Sequence, residues 1–185
     1  MKELEIMFEQ IMEIKANLRN VEMEYWLTRD VLSGHWWFLF LINLLSFVFF
    51  IMIIDRQRIL LITIAFIISF TLIGITNEVG NYFGLWSYPH QFLAFLRSFN
   101  AVDFATIPVI MTIIYQIFSN WKYYLIANIA MSAILGFIGV PIFVYFNFYK
   151  LHNWNNFYSF MTLLIVGSLI KLIVDFIEYK SNANV

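Results

Sequence analysis

The stretch Trp36–Thr76, WWFLFLINLLSFVFFIMIIDRQRILLITIAFIISFTLIGIT, decides the fold. Its two apolar runs, Trp36–Ile54 and Ile59–Thr76, each approach the ~20 residues that a helix needs to cross a hydrocarbon core of about 30 Å. The break between them, Asp55–Arg58, leaves room only for a tight turn, so the two runs form an antiparallel hairpin. Backbone groups in lipid must be satisfied internally, and neither run alternates as a barrel strand would. Both are therefore read as helices.

Working outward, three further runs have the same character: Phe99–Phe118, Tyr123–Phe146 and Phe157–Ile177, the first two joined by the short Ser119–Lys122. The expected architecture is an all-α, polytopic transmembrane helical bundle of about five spans over residues 31–180. An acidic amphipathic helix over residues 1–30 precedes it and a tail, 181–185, follows. The composition agrees: 62% of residues are hydrophobic and 12% charged, about half the charge share of a soluble domain, so the lipid bilayer must act as solvent. Residues 1–30 are charged where a signal peptide would be apolar, and the first span is expected to direct insertion. Pro108 and Pro141 are expected to kink their spans, while Gly136 and Gly139 permit close helix contact.

Several chemistries are excluded. Without cysteine there is no disulfide, thiolate metal site or cysteine nucleophile. A net charge of −1 argues against a nucleic-acid partner. His35, His90 and His152 stand isolated in the sequence, so no metal is expected, and no phosphate-binding or redox motif calls for a cofactor.

Leu4, Met7, Ile11, Ile14, Leu18, Val21 and Tyr25 recur at spacings of three and four on a Glu-rich helix, an a/d stripe over three heptads. Residues 1–25 thus read as a homo-oligomer seam, as the docking face for a helical protein partner, or as a helix folded against its own bundle. A membrane-surface helix fits less well, because its polar face should carry Lys and Arg rather than Glu3, Glu5, Glu9, Glu13, Glu22 and Glu24.

Five spans place the N-terminal segment and the loops 77–98 and 147–156 on one side, with six basic residues against five on the other. The concentration of Arg56 and Arg58 in a short turn leans towards a cytoplasmic placement of that turn in a multi-pass cell-membrane protein.

The side that gathers the two longer loops also gathers the candidate site. Glu78 and Asp103 each lie within about a turn of apolar helix, where a carboxylate needs a partner or a use. Arg97, Lys150 or His152 could pair with them; alternatively, the two acids are catalytic candidates, one donating a proton and the other stabilising positive charge. Trp86, Tyr88, Tyr149, Trp154 and Tyr158 read as belt residues or pocket walls, and Tyr115-Gln116 as a polar couple able to bond across helices. At the opposite end Lys171, Asp175 and Glu178 share a face of the last helix, with Lys171 expected to pair or to snorkel outward.

In order, Trp36-Trp37, Gly84-Leu85-Trp86-Ser87-Tyr88-Pro89, Asp103 with Pro108, Tyr115-Gln116, Trp121-Lys122, Pro141, Tyr149, Trp154, Tyr158-Ser159 and Lys171 resemble an uncharacterised family of small five-span membrane proteins from Gram-positive, spore-forming bacteria. The resemblance covers about residues 25–177 and implies an architecture and a bacterial envelope location. The chain departs from that pattern at Val140, where an acid often precedes the proline, and at Asn77-Glu78, where an aspartate often stands. A span ending near an acid, then Gly-Leu-Trp-x-Tyr, then a Pro-bearing span, is also similar to integral lycopene-type and other terpene cyclases; their acidic pair after the proline is replaced here by Val109-Ile110. Three readings stay open: a non-enzymatic membrane protein working through helix–helix association, a lipid- or isoprenoid-modifying enzyme using Glu78 and Asp103, and a small-molecule binder or sensor.

Overall fold

The computed structural model describes residues 2–96 and 101–183. Helix α1 (Lys2–Tyr25) runs through a π-turn, Trp26–Asp30, towards α2 (Gly34–Ile53). A 3-10 turn, Arg56–Arg58, leads into α3 (Ile59–Tyr82), followed by a two-residue strand β1 (Trp86–Ser87) and a 3-10 turn at Ala101–Asp103. Then come α4 (Thr106–Ile117), α5 (Trp121–Ile134), a π-segment Leu135–Gly139, α6 (Val140–Tyr145), strand β2 (Lys150–Leu151) and α7 (Asn156–Asn182). This is an all-α membrane helical bundle: Gly34–Ile53, Arg56–Tyr82, Trp121–Tyr145 and Asn156–Ser181 are long and apolar enough to cross a bilayer.

The expected span 99–118 takes a different form. Its helix α4 has 12 residues, about 18 Å of rise, well short of a 30 Å core. Asp103, Phe104 and Ala105 belong to an irregular connection rather than to the helix. The helix can begin inside the bundle because another element caps it: the side chain of Asn43, buried midway along α2, accepts the backbone N–H groups of Ala105 at 3.0 Å and Thr106 at 3.3 Å. Helix N-termini leave such donors without intrahelical partners, and lipid offers none. Pro108 accordingly sits in the first turn, where a missing N–H is harmless, and does not kink a span. The described part of the connection from Tyr88 to Leu96 is not helical.

Pro141 is accommodated differently. A proline ring collides with the carbonyl four residues back, here that of Phe137. That carbonyl lies in the π-segment Leu135–Gly139, whose wider turn joins α5 to α6 as one span. Gly136, in the same segment, packs against α7 so closely that a Cβ would stand 2.8 Å from the Phe160 nitrogen. Further along this contact, Tyr124 donates to the Gly167 carbonyl at 2.6 Å and Asn128 to that of Leu164 at 3.0 Å.

The two ends of the bundle are tied separately. At one end, Gln116 accepts the Asp55 N–H and donates to the Ile53 carbonyl, and Arg58 donates to the Gln116 carbonyl, which locks the α2–α3 turn onto the end of α4. Lys171 completes this end by pointing inward: of the two expectations, the pair with Asp175 forms and the outward snorkel does not. Lys171 is 1% exposed, donates to the Ser119 carbonyl at 2.9 Å, pairs with Asp175 at 3.1 Å, and lies 5.1–5.3 Å from the rings of Tyr115, Trp121 and Tyr124. At the other end, β1 and β2 pair antiparallel, Trp86 opposite Leu151 and Ser87 opposite Lys150, so the loops before α4 and before α7 meet.

Helix α1 buries none of its residues. Its stripe is left uncovered, with exposures between 43% at Leu18 and 70% at Leu4. The reading in which this face folds against its own bundle is not the arrangement adopted.

Candidate functional site

A cavity of about 140 Å³ lies between α3, the 83–105 connection, the π-segment with α6, and the start of α7. Its walls include Ile73, Val102, Ile107, Leu135, Val140, Phe143 and Leu163, with the aromatic rings of Trp86, Tyr88, Tyr149 and Trp154. Among the described lining residues the one carboxyl is that of Asp103, and none carries a positive charge.

Each wall is placed by a local device. Apart from Gly74, the buried positions of α3, Ile62, Ala65, Ser69, Ile73, Asn77 and Gly80, form one stripe at spacings of three and four. Asn77 is therefore turned to the cavity and Glu78, one residue on, is exposed. Gly80 sits under the Trp86 ring, in space that a Cβ would take, so the indole lies flat against the helix. Trp86 meets Trp154 at 4.9 Å and Tyr149 at 6.3 Å between ring centroids, and Tyr88 meets Tyr149 at 5.3 Å. Trp154 is held by its indole N–H donating to Ser159 at 2.9 Å.

At the polar end Tyr88 Oη stands 2.6 Å from Asp103 Oδ2 and 3.0 Å from Asn77 Oδ1. One hydroxyl proton cannot serve both acceptors. With Asp103 neutral, its acid proton points at Tyr88 and the Tyr88 proton at Asn77. With Asp103 ionised, Tyr88 donates to it, and the Asn77 amide, turned over, donates to Tyr88. The proton on Asp103 thus sets the direction of the whole chain. Asp103 lies in the connection outside the four spans, and burial pushes its carboxyl up from 3.8 to about 6, opposed by the hydrogen bond from Tyr88. Burial likewise raises the Tyr88 and Tyr149 hydroxyls, with the Asp103 charge adding to it, so both stay neutral. Because the folded carboxyl is raised, its contribution to stability is full at low pH and is lost as pH climbs from 3.8 to about 6. Asn77 Nδ2 and Trp86 Nε1 are both buried without a hydrogen-bond partner.

The predicted residues divide. Asp103, Trp86, Tyr88, Tyr149 and Trp154 come together around the cavity, and Tyr158 packs on Trp154 at 5.3 Å from outside. Glu78 does not line the cavity with Asp103. Lys150 is exposed on β2, and His152 is hydrogen-bonded to Ser87 at 2.9 Å. Tyr115 and Gln116 serve the opposite end of the bundle. Arg97 lies outside the described residues.

Two of the three histidines that look isolated in sequence are brought together. His35 and His90 stack at 3.9 Å, and His90 Nδ1 lies 2.7 Å from Asp30, which is fully buried and also accepts the Gln91 N–H. Trp26 and Trp36 donate to the Gln91 and Phe92 carbonyls. This cluster clamps the start of the connection that supplies Tyr88 and Asp103. Asn43 and Asp30 are the contributors that sequence reasoning misses, while Asn77 and Ser159 stand in quoted motifs without a role of their own. No protein-family model, curated protein or solved structure matches the chain.

Proposed function

We propose that this protein is a multi-pass membrane protein that binds a small molecule in the cavity around Asp103. The observation that carries the reading is the Asp103–Tyr88–Asn77 hydrogen-bond chain set into an otherwise apolar and aromatic cavity, the usual make-up of a ligand site. The acid-pair enzymatic reading has less support, because Glu78 is exposed on the neighbouring helical position. Thr162→Phe would fill the cavity from α7 without touching the Asp103 chain. Native mass spectrometry of protein drawn from its own membranes should show a discrete small-molecule adduct on the parent protein that this variant loses; equal spectra for both would sink the reading.

A second reading concerns α1, whose uncovered stripe favours pairing with a second copy of this chain. Copies inserted alike in one membrane present α1 in the same sense, which asks for a parallel seam. With Leu4 at position a, such a seam sets Glu3 beside Phe8, Gln10 beside Lys15 and Asn17 beside Glu22, with no like charges opposed. The full chain is expected to run as a dimer in detergent by light scattering, and a chain lacking residues 2–25 as a monomer. An unchanged oligomeric mass after the deletion would remove the idea. The cell membrane, with the Arg56–Arg58 turn facing the cytoplasm, is the placement that the basic residues of that short turn favour.

A further inference from the structure

We propose that the ligand of this cavity is a small organic cation, an ammonium bearing short alkyl groups, held by the Asp103 carboxylate and the faces of Trp86, Tyr88, Tyr149 and Trp154. The inference rests on the reading of the cavity as a binding site and deepens it to a ligand class.

Three observations converge. First, the rings are in contact with one another and with the cavity, and a cation over a Trp or Tyr face is attracted by the ring quadrupole, most strongly where water is excluded. Second, above the range in which Asp103 titrates, the cavity holds a carboxylate and, among the described residues of its wall, no positive charge. Its hydrogen bond from Tyr88 satisfies part of that charge without neutralising it. A cation of the bundle's own is spent elsewhere: Lys171 sits in a comparable arrangement of three rings and a carboxylate at the opposite end, which shows the chain already stabilising an enclosed ammonium in this way. Third, about 140 Å³ is close to the ~150 Å³ that admits a benzene, which limits the ligand to about six to ten non-hydrogen atoms.

A proton and the cation then compete for one carboxylate. The titratable groups facing Asp103 among the described residues are Tyr88 on the connection and Tyr149 before α7; α3 presents Asn77 and Thr76, and α7 presents Ser159 and Thr162, all uncharged. Binding should therefore strengthen as pH rises through about 6, by roughly tenfold between pH 5.0 and 7.5 for a single carboxyl titrating there.

The test is calorimetric titration of the full chain in nanodiscs with choline chloride and with its neutral isostere, 3,3-dimethylbutan-1-ol, at pH 5.0 and 7.5. The expected result is a preference for choline of at least about tenfold at pH 7.5, weakening about tenfold at pH 5.0, with both features absent in Asp103→Asn. If Asp103→Asn does not fold, Trp154→Leu carries the test: choline should weaken at least fivefold, roughly the loss of one such ring, while the alcohol is unaffected. An alcohol that binds as well as choline overturns the cation class and leaves the binding cavity standing. If neither compound binds, the cation class is overturned as well, and the adduct experiment with Thr162→Phe decides separately whether the cavity binds anything.

Discussion

Asn43→Leu is expected to destabilise the bundle by about 2–5 kcal/mol, because it strips the acceptor from the buried Ala105 N–H and the half-buried Thr106 N–H, and such groups cost roughly 1–3 kcal/mol each when unpaired. Leucine has the same number of side-chain heavy atoms as asparagine and suits an apolar span, so composition alone would call the change benign. The loss comes from the broken α4. Ala105 has no capping side chain of its own, and the Asn43 Oδ1 contacts at 3.0 and 3.3 Å do that work from α2. Thr106, which also reaches the Ile42 carbonyl and Ser46, would lose its anchor at the same point. Asn43→Asp keeps an acceptor at a helix N-terminus, where negative charge is favourable, and should retain most of the stability. Thermal unfolding in detergent, followed by tryptophan fluorescence, measures this. A leucine variant that melts with the parent would mean that α4 does not depend on the cap. Since Asp103 lies two residues before Ala105, the same variant should also loosen the hydrogen-bond chain at the cavity.

The second large effect is expected at Lys171. Lys171→Met keeps the aliphatic stem and removes the ammonium from Ser119, Asp175 and the three rings. Removing one partner of a buried pair costs about 3–5 kcal/mol when the other charge is left enclosed. Here the Asp175 side chain is 29% exposed and can recover some hydration, so about 3 kcal/mol, the lower end of that range, is expected. Adding Asp175→Leu to Lys171→Met should restore much of the loss, because an apolar pair can replace an ion pair of similar volume. Lys171→Arg should not rescue fully: the rings surround a compact ammonium, and a planar guanidinium needs different space. Chemical unfolding of the three variants against the parent separates these outcomes. A methionine variant of parental stability would show that the cation–ring box contributes nothing.

Both sites show why some of this protein is legible in one dimension and some is not. In water, a half-buried helix declares its inner face through polar residues on the outer one. In a bilayer both faces are apolar, so α3 carries no usable periodicity, and nothing in its sequence says that Asn77 faces the cavity while Glu78 does not. The more conspicuous acid was the natural choice, and it lies off the cavity. Asp103 is legible for the same reason: a carboxyl amid apolar neighbours is conspicuous wherever it falls. His90 is far along the sequence from both His35 and Asp30, and meets them only because the α3–α4 connection folds back over the start of α2.

The sequence by itself determined that this chain is an all-α membrane protein, where its long helices lie, and that the acidic helix at its start is amphipathic. Run length and hydropathy suffice for that, because the bilayer imposes its thickness and its demand for internal hydrogen bonds on any chain that crosses it. The tertiary structure alone decided that the span expected over 99–118 is a half-length helix capped by Asn43, that Lys171 turns inward, and that Asp103, Tyr88 and Asn77 join in one cavity. Those outcomes depend on contacts between residues 11 to 62 positions apart, among side chains whose partners no local rule could name.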